Sequence, residues 1–288
     1  MRGWADPRLY GLLASISFTT PGAAGAFLQP PGEGVAILTT NVAEAHGAYD
    51  SRGQLVAAPA YDKLETQLYV EYGLIEQMTL VAETNYLRFR GSGANKQSEQ
   101  LAVLTEQARA GAPLYLPPGV GEGARYAGPG AQSLGARLRL LQLGPAILST
   151  QASLRASVGE GRKFLDMAEH FQFDGRLQIG WPIEFLGMPG FAEGQVGYRT
   201  AGQNSDEIRA EVTTGVRPSR EMLLLAQGFF YVAPFASSAA FTVSQRLQLS
   251  AVYDLTREVA VQLGARAALR GVNDSAERGL IGALWYRF

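Results

Sequence analysis

Leu284-Trp285-Tyr286-Arg287-Phe288 end the sequence, and counting back from Phe288 every second residue is apolar or small: Phe288, Tyr286, Leu284, Gly282 and Leu280. Side chains alternate along a β-strand with a period of two, so these five share one face. Such a pattern fits a strand with hydrocarbon on one side and something polar on the other.

The same alternation runs back through the chain. Val259, Val261, Leu263, Ala265, Ala267 and Leu269 oppose Gln262, Arg266 and Arg270, and Phe241, Val243, Leu247, Leu249, Ala251 and Tyr253 oppose Ser244, Arg246, Gln248 and Ser250. Ile208, Ala210, Val212 and Val216 oppose Arg209 and Glu211; Ala192, Val196 and Tyr198 oppose Glu193, Gln195 and Arg199. The cleanest case sets Phe171, Phe173, Leu177, Ile179 and Trp181 against Asp174, Arg176 and Gln178. Earlier strands place Leu148 and Leu154 opposite Arg155, and Leu134, Leu138 and Leu140 opposite Arg137 and Arg139. Leu64, Leu68, Val70 and Tyr72 oppose Lys63, Glu65 and Glu71, followed by Leu80, Ala82 and Tyr86 opposite Glu83. Parity is unsettled in two segments, 34–49 and 222–232, the second being apolar on both faces in its first half.

About twelve strands of about eleven to fifteen residues result, an even number, with connections alternating between brief and long, as in bacterial membrane barrels. Brief ones fall near 73–76, 143–145, 217–220 and 254–257; longer or more polar ones near 50–59, 91–130, 159–168 and 271–277. The connection at 185–190 is longer than this order wants, and the one at 201–205 shorter. The expected fold is all-β: a closed, antiparallel, up-and-down transmembrane β-barrel with both termini on the periplasmic side.

A soluble sandwich also alternates, but has no reason to sort its aromatics. Membrane barrels place them at the two interfaces. Tyr72, Trp181, Tyr253, Tyr286 and Phe288 fall at the expected periplasmic end, and Tyr86, Phe171, Tyr198 and Phe241 at the opposite rim. Arginine on the lipid side near the midplane costs roughly 2–4 kcal/mol. Reversing the Arg-bearing strands would therefore exceed a typical folding stability of about 5–15 kcal/mol, so the charges belong inside.

The aromatic carboxy-terminal strand resembles the insertion signal of Gram-negative outer-membrane β-barrels, which implies reading by the barrel-assembly machinery and an outer-membrane location. Phe27-Leu28-Gln29-Pro30-Pro31-Gly32-Glu33-Gly34, Ile37-Leu38-Thr39 and Glu71-Tyr72-Gly73-Leu74 are similar to the opening of a group of proteobacterial barrels described as transporters or porins. That likeness implies a channel role without naming a solute.

The amino terminus agrees with export. Arg2 and Arg8 precede a short apolar stretch, Leu9 to Phe18, and then Ala24-Gly25-Ala26, a small-residue cleavage pattern. The expected domains are a signal peptide over 1–26 and a barrel over 27–288 with a long outer loop at 91–130. The mature amino terminus is then too short for a plug. Hydrophobic residues make up 47% of the chain and charged residues 18%, with no apolar run of eighteen after the leader, so membrane-spanning helices are excluded. A net charge of −1 argues against a nucleic-acid partner, and zero cysteines leave no disulfide or thiolate chemistry.

The expected lumen-lining set is Lys63, Glu65, Glu71, Glu83, Arg137, Arg139, Arg155, Asp174, Arg176, Glu193, Arg199, Arg209, Glu211, Arg246, Arg266 and Arg270. Either these select anions in a watery lumen, or arginines and carboxylates pair across strands and knit a filled interior. Catalysis is not expected. Barrel phospholipases carry His and Ser two residues apart, whereas Ala48 follows His46 and Gln172 follows His170. Two histidines and no cysteine supply no metal site and no cofactor is implied. The sequence thus points to passive passage of small, anionic solutes, with a non-conducting structural or adhesive barrel as the alternative and a rim hydrolase third.

Overall fold

The computed structural model describes residues 25–91, 125–157, 171–200, 206–234 and 241–288. Among the described residues there are thirteen strands: β1 Gly34–Tyr49, β2 Leu55–Ile75, β3 Met78–Gly91, β4 Arg125–Leu143, β5 Ala146–Ser157, β6 Phe171–Phe185, β7 Met188–Arg199, β8 Glu207–Val216, β9 Met222–Pro234, β10 Phe241–Asp254, β11 Val259–Val272, β12 Asp274–Ser275 and β13 Arg278–Arg287. Twelve are long, and the two-residue β12 only extends the pairing of β1 at one rim. Each long strand pairs antiparallel with its sequence neighbour, and β1 joins both β2 and β13. The sheet is therefore a closed barrel, and closure leaves no edge with unpaired amides, which hydrocarbon would penalise.

The connections near the termini are tight. Residues 76–77, 144–145 and 186–187 each join two long strands. Phe185 pairs directly with Met188 across Leu186 and Gly187, both with positive φ (53° and 75°), the two-residue geometry that matches strand twist. The expected 185–190 turn is thus shorter than read, because both strands run on into it. Likewise β4 begins at Arg125, so residues 125–130 are wall; the rest of the expected 91–130 loop, with its helix-compatible stretch, lies outside the described residues, as does His170.

The outer face is the apolar one. Leu38, Leu68, Leu134, Leu154, Leu177, Val212, Leu249 and Leu263 are all exposed there, the reverse of a water-soluble protein and the surface lipid requires. All nine aromatic-belt residues, Tyr72, Tyr86, Phe171, Trp181, Tyr198, Phe241, Tyr253, Tyr286 and Phe288, are exposed as well. Register sorts them into two rims. Tyr72 pairs with Leu80 and Tyr286 with Val259 at one end, while Tyr198 pairs with Ile208 and Phe241 with Pro234 at the other.

Register also fixes the two unsettled strands. In β1, Val35, Ile37, Ala43 and Ala45 are buried inside while Leu38 and Val42 face out; in β9, Leu223 and Leu225 are buried while Met222 and Leu224 are exposed. Val35, Ile37, Leu223 and Leu225 join Phe191, Val252, Ala260 and Trp285 in one cluster inside the barrel at the end holding the termini. That cluster is a floor.

Candidate functional site: a layered lumen

Above the floor lies a cavity of about 430 Å³. Ten of the sixteen expected lumen residues line it: Glu65, Glu83, Arg137, Arg155, Asp174, Arg176, Arg199, Arg209, Glu211 and Arg266. Six are guanidinium groups and four are carboxylates.

The densest charge sits on β5 to β8, in the half away from the termini. Asp174 receives Arg176 at 2.6 Å and Arg199 at 2.9 Å, with Arg209 at 3.7 Å. Glu207 adds contacts to Arg199 and Arg209 at 3.5 and 3.8 Å, and Glu211 lies 3.7 Å from Arg176. Arg155 donates to the Gln172 amide oxygen at 3.1 Å, and Arg266 rests on the Phe229 ring at 4.6 Å. Neither has a carboxylate within ion-pair distance among the described residues. So the arginines pair in part and leave cationic surface over.

A glutamine girdle follows below the charges, one that the sequence reading did not single out. Gln178 donates to Gln195 at 3.2 Å, Gln195 to Glu211 at 2.7 Å, Gln248 to Gln227 at 2.8 Å, and Gln262 to Ser250 at 2.8 Å while accepting from the Trp285 indole at 3.0 Å. Alternation marks Gln178, Gln195, Gln248 and Gln262 as inward, and their shared residue type is the signal that was there to be read; Gln227 is placed inward by the structure.

Five expected lumen residues face inward at other levels. Glu71 and Arg137 form an ion pair at 2.9 Å, each side chain only 1% exposed. Arg137 also donates to Gln151 at 3.0 and 3.2 Å, to the Tyr69 hydroxyl at 3.1 Å and to the Phe27 carbonyl at 3.0 Å. Glu193 is buried in the floor. Lys63 and Arg246 belong to the far rim, where Lys63 meets Glu277 at 2.7 Å, and Arg246 meets Asp274 at 3.3 Å and Glu277 at 3.5 Å. Arg139 bonds the Glu76 carbonyl at the β2–β3 turn. Glu277 lies in the β12–β13 connection, and although burial raises its pKa, the charges of Lys63 and Arg246 bring it down to about 2.

Arg270 is a correction. Gln245 pairs with Arg270 and Arg246 with Ala268, so Leu269 is an extra residue that flips the parity of β11 beyond it. Arg270 therefore lies opposite outward Gln245, exposed on the barrel exterior near the rim.

The floor contains a second layer that alternation has no means of reporting. Residues Gly25 to Gln29 enter the barrel interior as a strap. Ala26 is completely buried, and the Phe27 ring meets Phe191 edge-on at 6.3 Å. The Gln29 amide donates to Thr79 at 3.0 Å and its side chain to Glu71 at 2.7 Å. Gly180 makes the room, since a Cβ there would lie 2.7 Å from the Phe27 ring and 2.8 Å from Ala26.

A closed antiparallel barrel with a lipid-facing band, aromatic rims and a polar interior defines a transmembrane β-barrel of the Gram-negative outer membrane, porin-like in construction. Solved structures share the fold, among them two outer-membrane barrels. The COG4313 outer membrane channel from Pseudomonas putida F1 aligns over 94% of this chain and 100% of its own, with TM-score 0.64 and 14% identity. The NanC porin aligns over 86% and 98%, with TM-score 0.50 and 9% identity. No family model and no curated protein sequence matches the chain.

Proposed function

We propose that this barrel is an outer-membrane channel for passive passage of small, anion-bearing hydrophilic solutes. The observation that carries the reading is the excess of guanidinium over carboxylate around the cavity, with Arg155 and Arg266 uncommitted to any described acid. Like charges set in a low-dielectric wall concentrate counter-ions and repel ions of their own sign. The girdle below offers amide donors and acceptors of no net charge, suited to a solute partly stripped of water.

The buried floor favours a second reading, a non-conducting barrel whose filled interior serves as a rigid platform. Planar-bilayer recording separates the two. Channel function predicts discrete conductance steps and, in a salt gradient, a reversal potential of anion preference that falls or inverts in Arg155→Glu/Arg209→Glu. A membrane that stays silent at all voltages retires the channel; unchanged selectivity in the double variant retires the arginines as its source.

A further inference from the structure

Glu193 lies on the inward face of β7, 2% exposed. The backbone amides of Gly25 and Ala26 donate to its carboxylate, yet its Oε2 atom is buried with no hydrogen-bond partner. A carboxylate taken out of water demands a cation or a full set of donors. Arg137, the nearby cation, is committed to Glu71, Gln151, Tyr69 and the Phe27 carbonyl. The site lacks one positive charge, and the chain supplies a means of making one on the spot.

We propose that leader removal makes Gly25 the first residue of the mature chain and that Glu193 is the receptor for its α-ammonium group. Water adds across the Ala24–Gly25 peptide bond during export; Ala24 leaves with the new carboxylate, and the Gly25 nitrogen takes up protons to become an ammonium. Gly22-Ala23-Ala24 carries small residues at the two positions such a cut requires. It lies two residues before the boundary read from Ala24-Gly25-Ala26.

Three features of the seat favour Gly25. A cut after Ala26 would strip Glu193 of both amides it now holds. A Cβ at residue 25 would collide with the Gln178 side-chain nitrogen, and Gln178 is fixed by Ser149 at 3.2 Å and Gln195 at 3.2 Å, so the pocket is cut to glycine. An amide offers one hydrogen and an ammonium three, enough to serve Oε2 as well. The docked terminus then anchors the strap that continues through Phe27 to Gln29.

The inference rests on removal of the leader and stands whether or not the barrel conducts. Its test uses protein purified from the outer membrane of an expressing cell. Intact mass gives the first residue, expected to be Gly25. An amine-acylating ester is then applied at neutral pH to folded and urea-unfolded protein, and the terminal peptide is isolated. An ion-paired, buried ammonium is expected to label at least about tenfold more slowly in the folded state. Glu193→Gln should abolish most of that protection and Glu193→Asp retain it. If Glu193→Gln does not fold, refolded chain with Ala23-Ala24 left ahead of Gly25 moves the ammonium away from Glu193 and should label at nearly the unfolded rate. A mature chain starting at any other residue, or equal labelling of wild type and Glu193→Gln, overturns the proposal.

Discussion

Replacing Arg137 by Met is the most demanding perturbation of this lumen. The guanidinium holds five hydrogen-bond or ion-pair contacts, and its partner Glu71 is as deeply buried as itself. Removing one member of a buried pair costs about 3–5 kcal/mol, mostly because the other charge is left uncompensated. About 4 kcal/mol is a shift of about a thousandfold in the folded-to-unfolded ratio. Glu71→Gln in the same chain removes the stranded charge, keeps one acceptor oxygen for Gln29 and turns an amide NH2 toward the Tyr69 hydroxyl, which can accept from it once Arg137 is gone. Arg137→Met/Glu71→Gln should therefore be more stable than Arg137→Met by about 2–3 kcal/mol, a coupling typical of contacting charges. Urea unfolding in lipid vesicles measures this, read by the fluorescence of Trp285 inside and Trp181 on the lipid face. Single and double variants unfolding within about 0.5 kcal/mol of each other would mean that Glu71 is not stranded, and the reading of a dry floor would fall.

Leu249→Arg, on the outer face at mid-strand in β10, should cost about 2–4 kcal/mol in the same urea assay, whereas inward Gln248→Arg should alter ion selectivity and leave the urea midpoint close to wild type. Leu186 has φ of 53°, a left-handed conformation costing a residue with a Cβ roughly 1–2 kcal/mol. Leu186→Asn should raise the melting temperature, and a fall would show that the leucine side chain contributes more than the strain removes. Glu277 has its carboxyl lowered from 4.5 to about 2, so its stabilisation is complete above about pH 4.5 and lost as pH falls toward 2. The stability gap between wild type and Glu277→Gln, on the order of 3 kcal/mol at neutral pH, should close between pH 4.5 and 2; a pH-independent gap refutes the assignment to ionisation.

How far the sequence carries depends on which medium each side of the wall meets. Lipid accepts only apolar side chains, so the outer face of β6 was legible residue by residue, from Phe171 to Trp181. The inner face is legible only where the interior is wet. In β1 and β9 both faces are apolar at the end holding the termini because Val35, Ile37, Leu223 and Leu225 pack into the floor, and alternation vanishes there for that reason. Loss of parity in two strands at the same end, together with Trp285 on the polar side of β13, was the available signature of an apolar floor inside the barrel. Arg270 escaped differently. One extra residue at Leu269 reverses parity without changing composition. The strap has no period at all, since Gly25 to Gln29 bonds to walls far away in sequence.

In the proposed channel, the layers place the control of passage in the floor. The barrel wall is a continuous hydrogen-bonded ladder closed by β1 pairing with both β2 and β13, so widening it would break many bonds at once in a medium that offers no replacements. The strap is held by a few side-chain and end contacts, at Thr79, Glu71, Phe191 and Arg137, and local opening takes the path of fewest contacts. Under the proposed function, a solute drawn in by the arginines of β5 to β8 meets the loosely held strap before the fixed wall. Displacing Phe27 from Phe191 opens space within the floor while leaving every wall strand paired. Because Arg137 bonds both the wall acid Glu71 and the strap carbonyl of Phe27, its removal should destabilise the barrel and, in the proposed channel, raise its open probability together, whereas a substitution at Phe27 leaves the Glu71 pair intact, costs only the ring's packing against Phe191 and should act mainly on opening.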